Sequence, residues 1–445
     1  MKKNIGSVFE FEGRPPFGES LPLAIQHVVA MVVGCCTPAL LVAKAANLDA
    51  ANSALMIQAS LLLSCLATFI QLFPIGKVIG ARLPMVMGVS FAYVPTMLDT
   101  VESYSGTYSA PDIIGVILGA QIIGACVAIV FGCFVGKIRK LFPPLVAGTV
   151  VFAIGVSLWT TATTYMAGGA ASDTYGAPVN WLIAVITLAV VLGLTHFAKG
   201  LPKLAAILIG LVAGYIVSIL FNMIDFNSIA SAKAFAVPEP LHFPLHFEGS
   251  VIASMVIMYV VNSVQAIGDM SATTSGAMDR MPADKELRGG IICNGVTNIV
   301  GALFGGLPTA TFSQNVGIVT TTKVINRFVI GLAAAIIGVA GLSPVVAQVF
   351  RSIPNPVIGG ATITVFASIA MTGLRLAFTD GFKARDMAVV GVSIAIGAGI
   401  ALSEDCLAGF PGWFQSIFGN MVTTSTVLVI VLNLIIPKGK GEKQV

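Results

Sequence analysis

The chain is a series of long apolar runs separated by short polar ones. Stretches long enough to cross a bilayer, about 20 residues each, begin near Leu21, Asn52, Asp112, Pro143, Asn180, Leu201, Gly249, Arg288, Phe328, Pro356, Asp386 and Gly419. These predict twelve full membrane helices. Two further segments, 80–97 and 305–323, are apolar but shortened and broken by Gly and Pro. Counted as half-helix crossings, they make the expected fold an all-α polytopic membrane protein with fourteen transmembrane segments. The second broken segment places an amide pair, Gln314 and Asn315, and the threonines 320–322 at a depth where lipid supplies no hydrogen bonds. Broken polar backbone is tolerated there only where it is buried in protein or lines a cavity. This is the first place to expect a bound solute.

Composition agrees: of 445 residues, 56% are hydrophobic and 10% charged, too little polar surface for a water-soluble exterior. The net charge of +4 is mild, and its distribution reports orientation in the bilayer rather than a nucleic-acid or other acidic partner. Cytoplasmic loops are enriched in Lys and Arg. With fourteen crossings and the N-terminus inside, only Lys44, Lys233 and Arg351 fall outside, and the other 21 basic residues fall inside, among them Lys137, Arg139, Lys140, Arg280, Lys285, Lys383, Arg385 and the tail lysines. Omitting either broken segment inverts everything after it, so both termini are expected in the cytoplasm. The first 20 residues carry acidic groups and a proline pair ahead of any apolar run, unlike a cleavable signal peptide. The seven cysteines lack CxxC spacing and matching His or Asp ligands, so they are expected to be small core residues, with no metal site.

The halves echo each other. Gly80-Ala-Arg-Leu-Pro84 precedes the first broken segment and Gly305-Gly-Leu-Pro308 the second; Pro144-Leu-Val-Ala-Gly148 opens one span and Pro356-Val-Ile-Gly-Gly360 another. These pair the third crossing with the tenth and the fifth with the twelfth. An odd offset of seven inverts the second half relative to the first. The expected organisation is a cytoplasmic segment, 1–20, a first repeat over 21–222 and a second over 249–437. Inverted repeats with paired broken helices point to a secondary transporter with its site near the midplane.

In the span that starts near Gly249, Asn262, Gln265, Asp269 and Thr273 recur at helical spacing and form one polar stripe on an apolar rod. Asp269 is the decisive member, because an ionisable group at membrane depth is by default a functional candidate. Burial opposes its charged form and donor hydrogen bonds favour it, a balance the sequence leaves open. His27, after Gln26 in the first span, reads first as a packing residue and second as a ligand or proton carrier; His242 and His246 read as surface residues, and His196 lies near a helix end. Gln314 and Asn315 open a short helix whose first N–H groups and positive dipole end suit a carbonyl-rich or anionic solute. The planar Gln314 amide, one acceptor and two donors, matches the edge of a heterocyclic amide. Gly88-Val-Ser-Phe91 is expected to present the opposing half-helix, with Phe91 placed to stack on a ring or to pack.

The run from Gln314 to Lys323 fits every fixed position of the nucleobase–ascorbate transporter signature, here Gln314, Asn315, Gly317, Thr322 and Lys323. Gly268-Asp269 with the Ser-Ala-Thr that follows, and Gln26-His27, also resemble that family, and the resemblance covers essentially the whole chain. It implies a seven-plus-seven inverted repeat in which a core domain, spans 1–4 and 8–11, moves against a gate domain, spans 5–7 and 12–14. It further implies a homodimer in the bacterial cell membrane that imports a purine base with protons, without a cofactor, sodium being the less expected ion. The opening Gln resembles oxopurine carriers of xanthine or urate; uracil permeases usually have Glu and ascorbate carriers Pro. Carried over by position, Gln314 binds the substrate edge, Asn315 supports it, and Ser313 with the Ser90–Phe91 region completes the pocket.

One departure matters: Gln265 stands where xanthine and uracil permeases usually have a Glu. An amide offers donor and acceptor where an ionised carboxylate only accepts, so a charge and a proton carrier are missing, coupling is expected to rest on Asp269 with His27, and the choice among oxopurines stays open. The alternative is an anion exchanger or channel of the sulfate-transporter type, which shares the architecture but usually carries a further C-terminal domain. A membrane enzyme is not expected, since HExxH, paired core carboxylates and a Ser/His/Asp grouping are all lacking.

Overall fold

The computed structural model describes residues 6–437 apart from 77, 139–142, 171, 225, 231, 380, 382 and 404. Arg139, Lys140 and the tail lysines of the charge count lie outside them. The principal elements are α1 (Phe17–Ala45), α2 (Ala50–Leu72), β1 (Met87–Val89), α3 (Val94–Tyr104), α4 (Ala110–Cys133), α5 (Pro144–Met166), α6 (Pro178–Phe197), α7 (Ala206–Leu220), α8 (Gly249–Ala277), α9 (Asp284–Leu303), β2 (Thr309–Thr311), α10 (Ser313–Thr322), α11 (Arg327–Gly341), α12 (Asn355–Ala377), α13 (Ala384–Leu402) and α14 (Met421–Ile435). The order helix, helix, strand with half-helix, then four helices occurs twice, which is the inverted repeat. Among the described residues, eight helices are long and apolar enough to cross a bilayer, or nine when α11 and Pro344–Arg351, bent by 81°, count as one broken span.

Local chemistry starts these helices. Proline occupies the first turn of α4, α5, α6 and α12, where its missing N–H leaves no bond unmade. Asp49 caps α2 by accepting from the Asn52 N–H, which holds its carboxyl below the usual range. Asn326 and Asn420 cap α11 and α14 in the same way.

At each broken segment the chain crosses as a short strand and then turns into a half-helix. β1 and β2 pair antiparallel, with Met87 opposite Thr311 and Val89 opposite Thr309. A two-stranded sheet inside a membrane protein leaves outer-edge groups that lipid cannot satisfy, and neighbouring helices supply the partners. On the β1 side, the Met87 N–H donates to the Thr68 hydroxyl at 2.9 Å. On the β2 side, the Thr309 N–H donates to Asn298 Oδ1 at 2.8 Å while Asn298 Nδ2 donates to the Thr309 carbonyl at 3.2 Å.

Two packing groups result. α1, α2, α4, α8, α9 and α11 surround the strands and half-helices, whereas α5, α6, α7, α12, α13 and α14 pack mainly on one another. The tightest seam of the second group joins α5 to α12, where glycines let the backbones touch, as small residues do between membrane helices. A Cβ added at Gly155 would sit 2.4 Å from the Ala370 nitrogen, and one at Gly373 would sit 2.2 Å from the Phe152 nitrogen. Gly155→Leu is therefore expected to cost about 3 kcal/mol through overpacking and to lose the monodisperse peak in fluorescence-detected size exclusion. Gly193→Leu, with open space around its Cβ, is expected to keep that peak.

The cysteines depart from the expected core placement. Cys35, Cys36 and Cys293 are buried, but Cys126, Cys133 and Cys406 are exposed. Cys126 lies on the outward face of α4, where a small apolar thiol meets lipid at no cost, so an apolar run does not tell core from lipid face. All seven are free.

Candidate functional site

The two half-helices start from the crossing strands and present their first turns to one space. Ser90, just past β1, accepts from the Ala92 N–H at 3.2 Å and so starts the helical turn Phe91–Tyr93. Past β2, Phe312 precedes α10, whose Ser313 and Gln314 N–H groups have no acceptor among the described residues. These are the unsatisfied donors of a helix start, at its positive dipole end. A cavity of 280 Å³ opens beside them, lined by Ser90, Phe91, Gln265, Ser313 and Gln314 from this group of elements and by Val151, Ile154, Ser368, Ile369 and Thr372 from α5 and α12. It lies between the two packing groups. Ser368 and Thr372 are exposed, so the cavity is open on their side.

Neither the Gln265 nor the Gln314 amide has a hydrogen-bond partner among the described residues. Both line the cavity, one from α8 and one from α10. Their combined two acceptors and four donors are free for a ligand. Phe91 lines the cavity and also packs edge-on against Phe366 of α12, with ring centroids 5.4 Å apart, so both sequence readings of that ring describe its position.

The remaining candidates stand behind this wall. Asp269 accepts from the Thr311 hydroxyl at 2.5 Å and from the Ser313 hydroxyl at 2.9 and 3.0 Å. It ties α8 to the junction of β2 and α10, with no cationic partner among the described residues. Thr273 turns back on its own helix, donating to the Asp269 carbonyl at 2.8 Å, and Asn262 is buried. Asn315 is buried too: its Nδ2 lies 3.0 Å from His27 Nδ1 and donates to the His27 carbonyl at 3.3 Å. Asn315 and His27 thus join α10 to α1 and do not line the cavity. Lys323, in left-handed conformation, ends α10 and donates to the Gly276 carbonyl at 2.5 Å. Gly317 has open space around it and the Thr322 hydroxyl bonds back to Ile318. The signature therefore mixes one cavity residue, Gln314, with residues that hold α10 in place. The contribution of α5 and α12 goes beyond the sequence expectation; their small residues at 148, 155, 359 and 373 are the sign in the sequence that these helices approach each other.

A larger cavity of 900 Å³ lies at the opposite end, lined by Lys44, Glu102, Thr164, Tyr165, Arg351 and Asn355 among others. It has no half-helix start, and of its two amides that of Asn355 is already bonded to Lys44 and Gly168. Its floor is closed by bonds between the two packing groups: Lys44 Nζ donates to the Ile353 carbonyl at 2.6 Å and to Asn355 Oδ1 at 2.8 Å, and the Tyr165 hydroxyl donates to the Leu41 carbonyl at 3.2 Å.

Comparison with known proteins places this architecture. The Permease family model Xan_ur_permease matches residues 18–405. Xanthine permease XanP of Escherichia coli is 31% identical over 98% of this chain and 96% of its own. The putative purine permease CPE0397 of Clostridium perfringens is 32% identical over 93% and 89%, and uric acid permease PucJ of Bacillus subtilis 32% over 93% and 91%. Among solved structures, the transmembrane domain of the cyanobacterial bicarbonate transporter BicA superposes with a TM-score of 0.59 at 18% identity, covering 93% of this chain and 96% of that one. SLC26A9 gives 0.60 at 13% identity, over 94% and 65%. The chain is a multi-pass membrane transporter with a seven-plus-seven inverted-repeat fold, and it belongs to the permease family of nucleobase–ascorbate transporters.

Proposed function

We propose that the protein imports an oxopurine base, xanthine, urate or a close relative, by proton symport through alternating access. The observation that carries this reading is the convergence of two half-helix starts and two unpartnered amides, Gln265 and Gln314, on one 280 Å³ cavity. A flat heterocycle with alternating N–H and C=O edges answers both amides at once, and Val151, Ile154, Ile369 and Phe91 supply apolar contact for its faces. Xanthine, purine and uric acid permeases among the relatives support the substrate class.

Arg82, Arg280, Arg327 and Arg385 cluster where the basic-loop rule puts the cytoplasm, so the cavity opens inward and the contacts of Lys44 and Tyr165 close the outer side. Elements 1–4 and 8–11 act as the core, elements 5–7 and 12–14 as the gate. Release of those outer contacts and closure of Ser368 and Thr372 onto the half-helices turns the cavity outward. Asp269 carries the coupling with His27 behind it. Ionised, Asp269 accepts from Ser313; protonated, its own O–H must find an acceptor, and the Ser313 hydroxyl is freed toward the cavity. Proton and ligand thereby act on the same side chain.

The anion-exchanger alternative rests on the fold alone, at 18% and 13% identity, and gives the free amides no role. The test is initial-rate uptake of radiolabelled xanthine and urate by cells lacking purine permeases, with hypoxanthine, guanine, uracil and ascorbate as competitors and a protonophore control. Saturable uptake blocked by an oxopurine and abolished by the protonophore is expected. Absence of uptake and competition for every purine, with exchange of sulfate or bicarbonate instead, sinks the reading.

A further inference from the structure

The outer end of α3 faces the start of α8 through a second polar cluster that the transport site does not use. Thr96, Asp99, Thr100 and Ser103 follow one another at intervals of three, one and three, a single face of α3. Ser250 and Ser254, four apart, form the matching face of α8. Together with Tyr104 they line a cavity of 10 Å³, room for one water-sized occupant. Every side-chain polar atom around it is oxygen.

Three side chains in this cluster have no hydrogen bond or ion pair among the described residues. The Asp99 carboxylate has neither hydrogen bond nor ion pair among the described residues. The Thr96 hydroxyl oxygen is buried, in a residue 1% exposed, with no partner. Ser254, 3% exposed, has no hydrogen bond either. Asp99 is half-buried, but a fully buried unpaired hydroxyl such as that of Thr96 costs free energy unless something occupies the space beside it. An anionic centre ringed by hydroxyl oxygens calls for a small positive charge, since hard cations take oxygen ligands.

The surrounding charges do not supply it. On α3, Glu102 adds a second carboxylate. At the start of α8, Glu248 already accepts from Tyr108 at 2.8 Å and Tyr104 at 3.5 Å. On α4, Asp112 is paired with His246 at 3.2 Å. On α1, Lys44 is bound to Ile353 and Asn355, and on α5 Tyr165 bonds to Leu41. Further along lie other buried polar atoms that face only each other, the Tyr93 hydroxyl in the turn before α3 and the Asn262 amide of α8. Asn262 precedes Gln265 by one helical turn, so these groups form a polar line between Asp99 and the transport cavity.

We propose that this cluster is a monovalent-cation site centred on Asp99, loaded from the outer side with a proton on the carboxylate or with a sodium ion among the hydroxyls. It rests on the reading of the chain as a cation-coupled importer and supplies the charge that Gln265, in place of Glu, does not. Because α3 continues the first half-helix and α8 carries Gln265, a cation bridging them joins loading to the geometry of the ligand cavity.

The test uses the purified full chain in detergent and the same protein in proteoliposomes. Thermal midpoints are measured across pH and in NaCl against KCl for the wild type, Asp99→Asn and Ser254→Ala. A sodium-specific rise in the wild type that both variants lose identifies sodium. A pH-dependent shift lost in Asp99→Asn, with no difference between the salts, identifies the proton. Purine counterflow, which needs no gradient, is expected to persist in Asp99→Asn while the accumulation ratio falls at least tenfold. Wild-type midpoints and wild-type accumulation in both variants overturn the proposal. Absence of purine counterflow in the wild type itself would overturn the substrate reading and leave the thermal measurement to decide the cation site.

Discussion

Asp269→Ala is expected to abolish accumulation and to lower the yield of folded protein, whereas Asp269→Asn is expected to fold and still fail to accumulate. The difference follows from three hydrogen bonds. Alanine removes the one acceptor among the described residues that the Thr311 and Ser313 hydroxyls share, and each stranded donor costs about 1–3 kcal/mol. The junction of β2 and α10 then loses its tie to α8. Asparagine keeps one carbonyl oxygen for a hydroxyl and offers its NH₂ to the other, so the tie survives. What asparagine cannot do is exchange a proton. Counterflow of labelled xanthine against unlabelled is expected in Asp269→Asn, together with an accumulation ratio near one. A wild-type accumulation ratio in this variant would show that Asp269 is a structural fastener and that coupling lies elsewhere.

Gln314→Ala is expected to lower kcat/KM for uptake by on the order of 100-fold, about 3 kcal/mol at two lost hydrogen bonds, with thermal stability unchanged. The contrast with Asp269 comes from position. The Gln314 amide has no partner among the described residues and faces the cavity, so its truncation strands nothing when the site is empty. Asn315, one residue on, behaves oppositely: buried against His27, it is bound to the fold rather than to the cavity, and Asn315→Ala is expected to reduce thermal stability before it changes substrate choice. Uptake kinetics and thermal midpoints measured on both variants separate the two roles.

Much of this organisation was legible in the sequence because the bilayer imposes it. Gly and Pro at 80–84 and 305–308 announced the two broken crossings, and the echo between halves gave their inverted relation. The spans expected to begin near Pro143 and Pro356 start within a residue of those positions, and the one expected near Asn180 starts at Pro178. The polar stripe on α8 was also visible, but its members serve different partners. Gln265 faces the ligand cavity, Asp269 faces β2 and α10, and Thr273 faces its own backbone. Helical spacing assigns a face and cannot say which element 40 residues on will cover each part of it. The pairing of β1 with β2 joins residues more than 200 positions apart, and the share of α5 and α12 in the cavity wall depends on glycine contacts across a similar distance. Such meetings are set by three-dimensional packing, and no local period records them.

The measurement that bears most directly on the central claim is equilibrium binding of radiolabelled xanthine and urate to the purified protein, wild type beside Gln314→Ala and Asp269→Asn. The expected result is saturable binding of one or both purines to the wild type and to Asp269→Asn, with affinity reduced on the order of 100-fold in Gln314→Ala. Equal affinity in the wild type and Gln314→Ala would contradict the account, because the amide that faces the cavity would then not hold the ligand.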